Sequence, residues 1–327
     1  MRNYLPDFDE LYSGESSKRL AFHSALVEAQ GYCHWHRLRE IVEFAERMQY
    51  RRIGIAHCPD MAREAVLAAI HLEGSMLEAS LPPEERECNP LGQAAYFAEI
   101  GTRLNVITGM CAGHEATFVQ ASEAPVTSLV TRDEHFRHNP VAALYTADGY
   151  SHSALFNRWS SQERPRFRGS DIETLAEVAE ELTPAEHDRR CRLEEIMEFA
   201  HRLGASHIGV SFCVGMYREA RTLVSVLEAN DFQVSSVCCK IGAIPKEHIG
   251  IAEWQKVKPH EPEMICNTLA QAELLNASGA QLVLFLGPCV GHDSATLSRL
   301  KAPALWVVTK DRVLAHNTVA ALYQLED

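Results

Sequence analysis

Cysteines recur in three matched settings along this chain. Cys58 and Cys213 directly follow the apolar runs RIGIAH and HIGVSF, Cys88 and Cys266 open CNPLGQA and CNTLAQA, and Cys111 and Cys289 sit inside GMCAGHE and GPCVGHD. A thiolate is both a soft metal ligand and a nucleophile, and which of these it becomes depends on what lowers its pKa. A cysteine just ahead of an amphipathic helix feels the positive end of the helix dipole. That setting is expected at Cys88 and Cys266, where Asn89 and Asn267 read as N-caps and Pro90 as a first helical residue. A cysteine just after a parallel strand lies on the carboxyl edge of the sheet, where such sheets bind ligands. Two trios are therefore expected to converge, Cys58 with Cys88 and Cys111, and Cys213 with Cys266 and Cys289. Cys239, in a Cys238-Cys239 pair without a counterpart, is expected to be a further ligand. Cys33, in CHWH, reads as incidental.

The two loops GMCAGHE and GPCVGHD run glycine, any residue, cysteine, any residue, glycine, histidine, acid. Gly113 and Gly291 are expected to let the backbone approach a bound group, and the following helix to offer free N–H groups. The loop is not a P-loop, because the Gly-Lys-Ser/Thr ending is missing. His114 and His292 fit a fourth ligand, an acid/base or a helix cap. Asp133 and Asp311 follow the last apolar run of their segments, and His138 and His316 precede Asn139 and Asn317. An Asp-His pair there could relay a proton or could simply cap a turn. The expected catalytic set is His292, Asp311, His316 and His114, with His292 as acid/base and Asp311 orienting it.

Two copies of one sequence pattern position these residues. Residues 36–73 match residues 191–228 without a gap, RLREIVEFAERM answering RLEEIMEFAHRL, and residues 88–145 match 266–323. Internal repetition has to be recognised before a fold is assigned. The second copy is longer between these windows, where DFQVSSVCCKIGAIPKEHIGI contains the β-branched run QVSSV, a strand. Helical periodicity alternates with short apolar runs in each copy, which predicts parallel strands covered by helices. The expected fold is α/β, two tandem small doubly wound domains related as a pseudo-dimer. The expected boundaries are an N-terminal extension over 1–30, a first repeat over 31–149, a connector over 150–187 with one helix in DIETLAEVAEEL, and a second repeat over 188–327.

Composition narrows the function. The chain of 327 residues is 46% hydrophobic and carries a formal net charge of −13, so its long-range field repels nucleic acid and anionic membranes. Neither a signal-peptide pattern at the start nor an apolar stretch of about 20 residues is read, so a cytoplasmic protein is expected. Ten cysteines there point to ligands, nucleophiles or core thiols in preference to disulfides.

Taken together, FCVG, the Cys239-Lys240 pair, CNPLGQA, GPCVGHD and KDRVLAHNTVAALY resemble an uncharacterised metal-binding domain family of bacteria and archaea, present here as two tandem copies. The resemblance implies metal binding and no particular reaction. The sequence departs from the family pattern at Thr268 and Thr318, where proline is usual, and at Glu115, where aspartate is usual. Three chemistries stay open. An iron-sulfur cluster on cysteines, with one position open to a small-molecule substrate, would suit a lyase-type enzyme. A dispersed Cys/His site would suit zinc, structural or hydrolytic. A metal-free enzyme would use Cys88 or Cys266 as nucleophile. A homo-oligomer is compatible with each.

Overall fold

A computed structural model describes residues 6–83, 88–159, 163–182 and 189–324. In the first half, β1 (Arg52–Ala56), β2 (Glu78–Ser80), β3 (Leu104–Thr108) and β4 (Val126–Val130) form one sheet in the order β2-β1-β3-β4. In the second, β5 (His207–Phe212), β6 (Gln233–Cys238), β7 (Leu282–Leu286) and β8 (Ala304–Val308) repeat that order as β6-β5-β7-β8. Every strand pair is parallel. The inner strands LNVIT and LVLFL are buried along their whole length, as continuous apolar runs must be when helices cover both faces of a sheet. The register slips at the same place in both sheets, between Ile107 and Thr108 and between Phe285 and Leu286. The two sheets are thus copies, and the α/β pseudo-dimer read from the repeat is the fold.

The halves are laced together about a pseudo-twofold axis. Thr131 and Thr309, counterparts in the repeat, meet with their hydroxyls 2.8 Å apart. Phe97, Ile107 and Phe118 of the first half share one apolar cluster with Val283, Phe285 and Trp306 of the second. Helix Arg37–Met48 reaches from the first half into the second. The Arg37 guanidinium donates to the carbonyl of Pro288 and to Asp293, and its backbone N–H donates to Asp311 at 2.7 Å. Helix Arg192–Leu203 returns the exchange. Arg192 donates to the Met110 carbonyl and to Glu115, and its N–H donates to Asp133 at 2.9 Å. Both guanidiniums are fully buried and satisfied by fixed acceptors, the arrangement that makes a buried charge tolerable.

Three details differ from the sequence reading. The first sheet also has an edge strand, the short β2, so a strand at this place is not peculiar to the second copy. The extra length of the second copy lies instead beyond β6, where short 3₁₀ turns at Lys246–Ile249 and Glu253–Gln255 form an excursion over the sheet edge. Within the N-terminal 30 residues, helix Glu15–Gly31 is no appendage: it buries Ala21, Ala25, Leu26, Val27 and Glu28. The connector supplies helix Ile172–Glu180, capped by Asp171 and packed on helix Ala112–Ala121. Residues 1–5, 84–87, 160–162, 183–188 and 325–327, which include parts of the expected extension, first repeat, connector and second repeat, lie outside the described residues.

Candidate functional site

In the second half, four cysteines from four segments meet at the carboxyl end of the sheet. Cys213 follows β5, Cys239 follows β6, Cys266 precedes the N-cap Asn267, and Cys289 follows β7; each is 4–5% exposed. Their sulfurs form a chain of hydrogen-bonding contacts, Cys289 to Cys213, Cys213 to Cys239, and Cys239 to Cys266, and His292 closes it by reaching both Cys266 and Cys289. The local sequence explains the convergence. Asn267 accepts from the Ala270 N–H to start helix Thr268–Ser278, and Gln271 donates to the Val237 carbonyl, tying that helix to the end of β6.

Cations surround these sulfurs. Lys310 Nζ lies 3.1 Å from Cys213 Sγ and 3.0 Å from Cys289 Sγ, and it is buried. Lys240 Nζ lies 3.3 Å from Cys266 Sγ and donates to the Met264 carbonyl. Arg312 approaches Cys289 at 3.6 Å, and the Val214 N–H donates to Cys239 Sγ at 3.3 Å. Hydrogen bonds from Cys239 and Cys289, then the Lys310 charge, hold the Cys213 thiol well below its ordinary pKa in spite of burial. Cys266 is lowered too, first by its bond from Cys239. Cys239, as donor to its neighbours, is pushed up. Burial pulls His292 down, but the Cys266 and Cys289 sulfurs outweigh it and raise the imidazole to about 10. Its Nδ1 is buried without a hydrogen-bond partner among the described residues.

Two carboxylates at this site come from the other half. Glu28 contacts Cys289, Cys266, Lys246 and Arg312, the last at 3.4 Å. Burial and Cys289 push it up, and Lys240, Lys246 and His292 bring it below its ordinary pKa. Glu40 lies 3.6 Å from Arg312, and burial followed by Cys289 raises it to about 7. Sequence reasoning missed Glu28, Lys310 and Arg312. A signal for Glu28 was present, since it interrupts the apolar face Ala21, Ala25 of its helix at helical spacing.

The first half assembles a different set. Cys58 and Cys88 touch, Sγ to Sγ 3.2 Å, and Cys111 Sγ lies 2.9 Å from His114 Nδ1. All four side chains line one small cleft. The bond from Cys88 lowers Cys58 to about 7, while Cys88 is raised. Burial, then Glu195, raises Cys111. Arg132 stands where the second half has Lys310, but its guanidinium is held by Asp60 and Glu134, each at 3.1 Å.

The other expected residues have structural partners. Asp311 accepts from the backbone N–H of Arg37, Val313 and Leu314, and His316 Nδ1 accepts from the Asp311 N–H, so this pair caps a turn and anchors the exchanged helix. That geometry differs from the expectation that Asp311 orients His292. Gly113 and Gly291 face neighbouring helices: a Cβ would meet Ala179 at Gly113, and Ser24 and Phe44 at Gly291. Gly291 also has φ +81°. Gly291→Ala is therefore expected to cost about 2–4 kcal/mol from left-handed strain plus overpacking, read from the denaturant midpoint.

Comparison with known proteins places the chain. A family model described as a protein of unknown function (DUF1847) matches residues 2–81, 78–129 and 155–307. The chain belongs to the DUF1847 family. As a DUF1847 member it is 39% identical over 149 residues to the uncharacterized protein MJ0455 of Methanocaldococcus jannaschii, a match covering 46% of this chain and 75% of that protein. Among solved structures, ornithine carbamoyltransferase from Burkholderia thailandensis aligns at 13% identity over 95% of this chain and 93% of that one, with a TM-score of 0.25. PH1733, an aspartate racemase homologue from Pyrococcus horikoshii, aligns at 11% identity over 84% and 98%, with a TM-score of 0.22. At these scores neither informs the fold or the function of this DUF1847 protein. Among its described residues no helix is long and apolar enough to cross a membrane, and no three His, Cys, Asp or Glu side chains have the spacing of a single-ion site.

Proposed function

We propose that the second half is a metal-binding centre holding an iron-sulfur cluster through Cys213, Cys239, Cys266 and Cys289, with a small-molecule substrate as its partner. The observation that carries this reading is the set of buried cations on the sulfurs. Lys310, Lys240 and Arg312 are placed to balance several thiolates at one point, which isolated core thiols do not require. The donor set fits such a group: soft sulfur ligands from separate loops, closed off from water by helix Glu15–Gly31 and the excursion beyond β6. A cluster held by all four thiolates would supply electron transfer, and one held by three, with one iron open, would supply Lewis acidity toward a substrate. The chain's own residues do the rest. Lys310 fixes the two sulfurs from the inner strands, Lys240 fixes Cys266, and His292 holds a proton between Cys266 and Cys289, available to a substrate that enters there. Glu28 and Glu40, carried across from the first half, limit the excess of positive charge.

The unpartnered Nδ1 of His292 favours a second reading, zinc on three thiolates and one histidine, which requires these side chains to close on the ion, since none of the described ones has single-ion spacing. Reconstitution separates the two. Anaerobic incubation with ferrous iron and sulfide is expected to yield a protein with broad absorption at roughly 400 nm, which closed-shell zinc does not give. Uptake of zinc alone supports the second reading, and uptake of neither retires both. Lys310→Met is expected to weaken retention of the metal about 10–100-fold against a chelator, the usual scale for loss of a group that supports ligands.

A further inference from the structure

The first half repeats three of the four cysteine positions without the surroundings that gather thiolates in the second. No cysteine lies between Cys58 and Cys88 in the sequence, so Cys239 has no equivalent. Glu134 stands where the second half has Arg312, and the Arg132 guanidinium is occupied by Asp60 and Glu134. Two sulfurs in direct contact remain, from segments 30 residues apart, their 3.2 Å separation little more than an ångström from a disulfide bond length. Cys58 is 6% exposed, whereas Cys88 is half-buried and opens toward solvent. Cys111, the third thiol of the cleft, is buried and engaged with His114.

From this contact we infer that Cys58 and Cys88 form a redox-active dithiol, a second site distinct from the thiolate centre of the other half, and that its co-reactant is a small-molecule disulfide. The pair shares one proton between two sulfurs. Its thiolate attacks one sulfur of the small disulfide, forming a mixed disulfide and expelling one small thiolate. The second sulfur of the pair then gives up the shared proton and attacks the mixed disulfide, forming the Cys58-Cys88 bond and expelling the other small thiolate. The two protein sulfurs are oxidised by two electrons to the disulfide, the external disulfide is reduced to one thiol and one thiolate, and the single shared proton ends on those products.

The test uses the full chain, incubated anaerobically with hydroxyethyl disulfide, alkylated at acid pH and mapped by peptide mass spectrometry. The expected product is a Cys58-Cys88 cross-linked peptide that dithiothreitol reverses, with Cys111 still alkylated. Cys58→Ser is expected to stop at a mixed disulfide on Cys88, and Cys111→Ser to leave the cross-link unchanged. A wild-type protein that accumulates only mixed disulfide, or a cross-link that requires Cys111, overturns the inference. So does zinc that protects Cys58, Cys88 and Cys111 together until a chelator removes it, since the cleft is then a metal site.

Discussion

If the second-half thiolates hold a metal as proposed, Cys213→Ala, purified anaerobically, is expected to contain almost none of it, whereas Cys191→Ala is expected to match the wild-type chain. The two cysteines are equally suited to inert burial, 5% and 2% exposed. They differ in surroundings. Cys213 has two cysteine sulfurs and the Lys310 ammonium on it. Cys191 sits at the start of helix Arg192–Leu203, raised by burial and by Glu194, with its own N–H donating to the Glu194 carboxylate. Removing a buried methylene-sized group costs stability at either place, so the metal content, measured per folded chain, is the discriminating readout. Equal metal in both variants, at the wild-type level, would leave Cys213 a packing residue.

Arg192→Met is expected to destabilise the whole molecule by about 3–5 kcal/mol, the scale for removing one partner of a buried ion pair. The loss strands Glu115, which is fully buried, and takes donors from the carbonyls of Met110 and Trp306. Burial outweighs the pull of Arg192 on Glu115 and lifts its carboxyl to about 7, so the anion is barely tolerated even with its partner present. Adding Glu115→Gln to Arg192→Met is therefore expected to recover part of the loss, because the amide oxygen can still accept from the Trp306 N–H. The check is the urea midpoint followed by both near- and far-ultraviolet circular dichroism. A loss under about 1 kcal/mol would mean that the exchange of helices between halves contributes little to cohesion.

Much of this architecture is legible in the sequence because repetition doubles each signal. RLREIVEFAERM and RLEEIMEFAHRL have the same helical period, and LNVIT and QLVLFLG the same continuous apolar run, so parallel strands covered by helices could be read in both copies, though not their order in the sheet. The convergence of Cys213, Cys266 and Cys289 was likewise readable, since each follows a strand or precedes a helix on one edge of a sheet. What could not be read is how the halves meet. Asp311 looked like a rim carboxylate, yet it accepts the N–H of Arg37, a contact spanning most of the chain. Glu28 and Glu40 reach the second site only because helices cross between halves, and no local pattern encodes that distance. The edge strand Glu78–Ser80 is too short for an alternating pattern to show.

X-ray absorption at the metal edge of the anaerobically purified, full-length protein tests the central claim most directly. The proposal predicts iron with a first shell dominated by sulfur at about 2.3 Å, the thiolate bonding range, and that shell lost in Cys213→Ala. A first shell of oxygen and nitrogen alone, or a folded protein with no bound metal and its second-half thiols free, would contradict it.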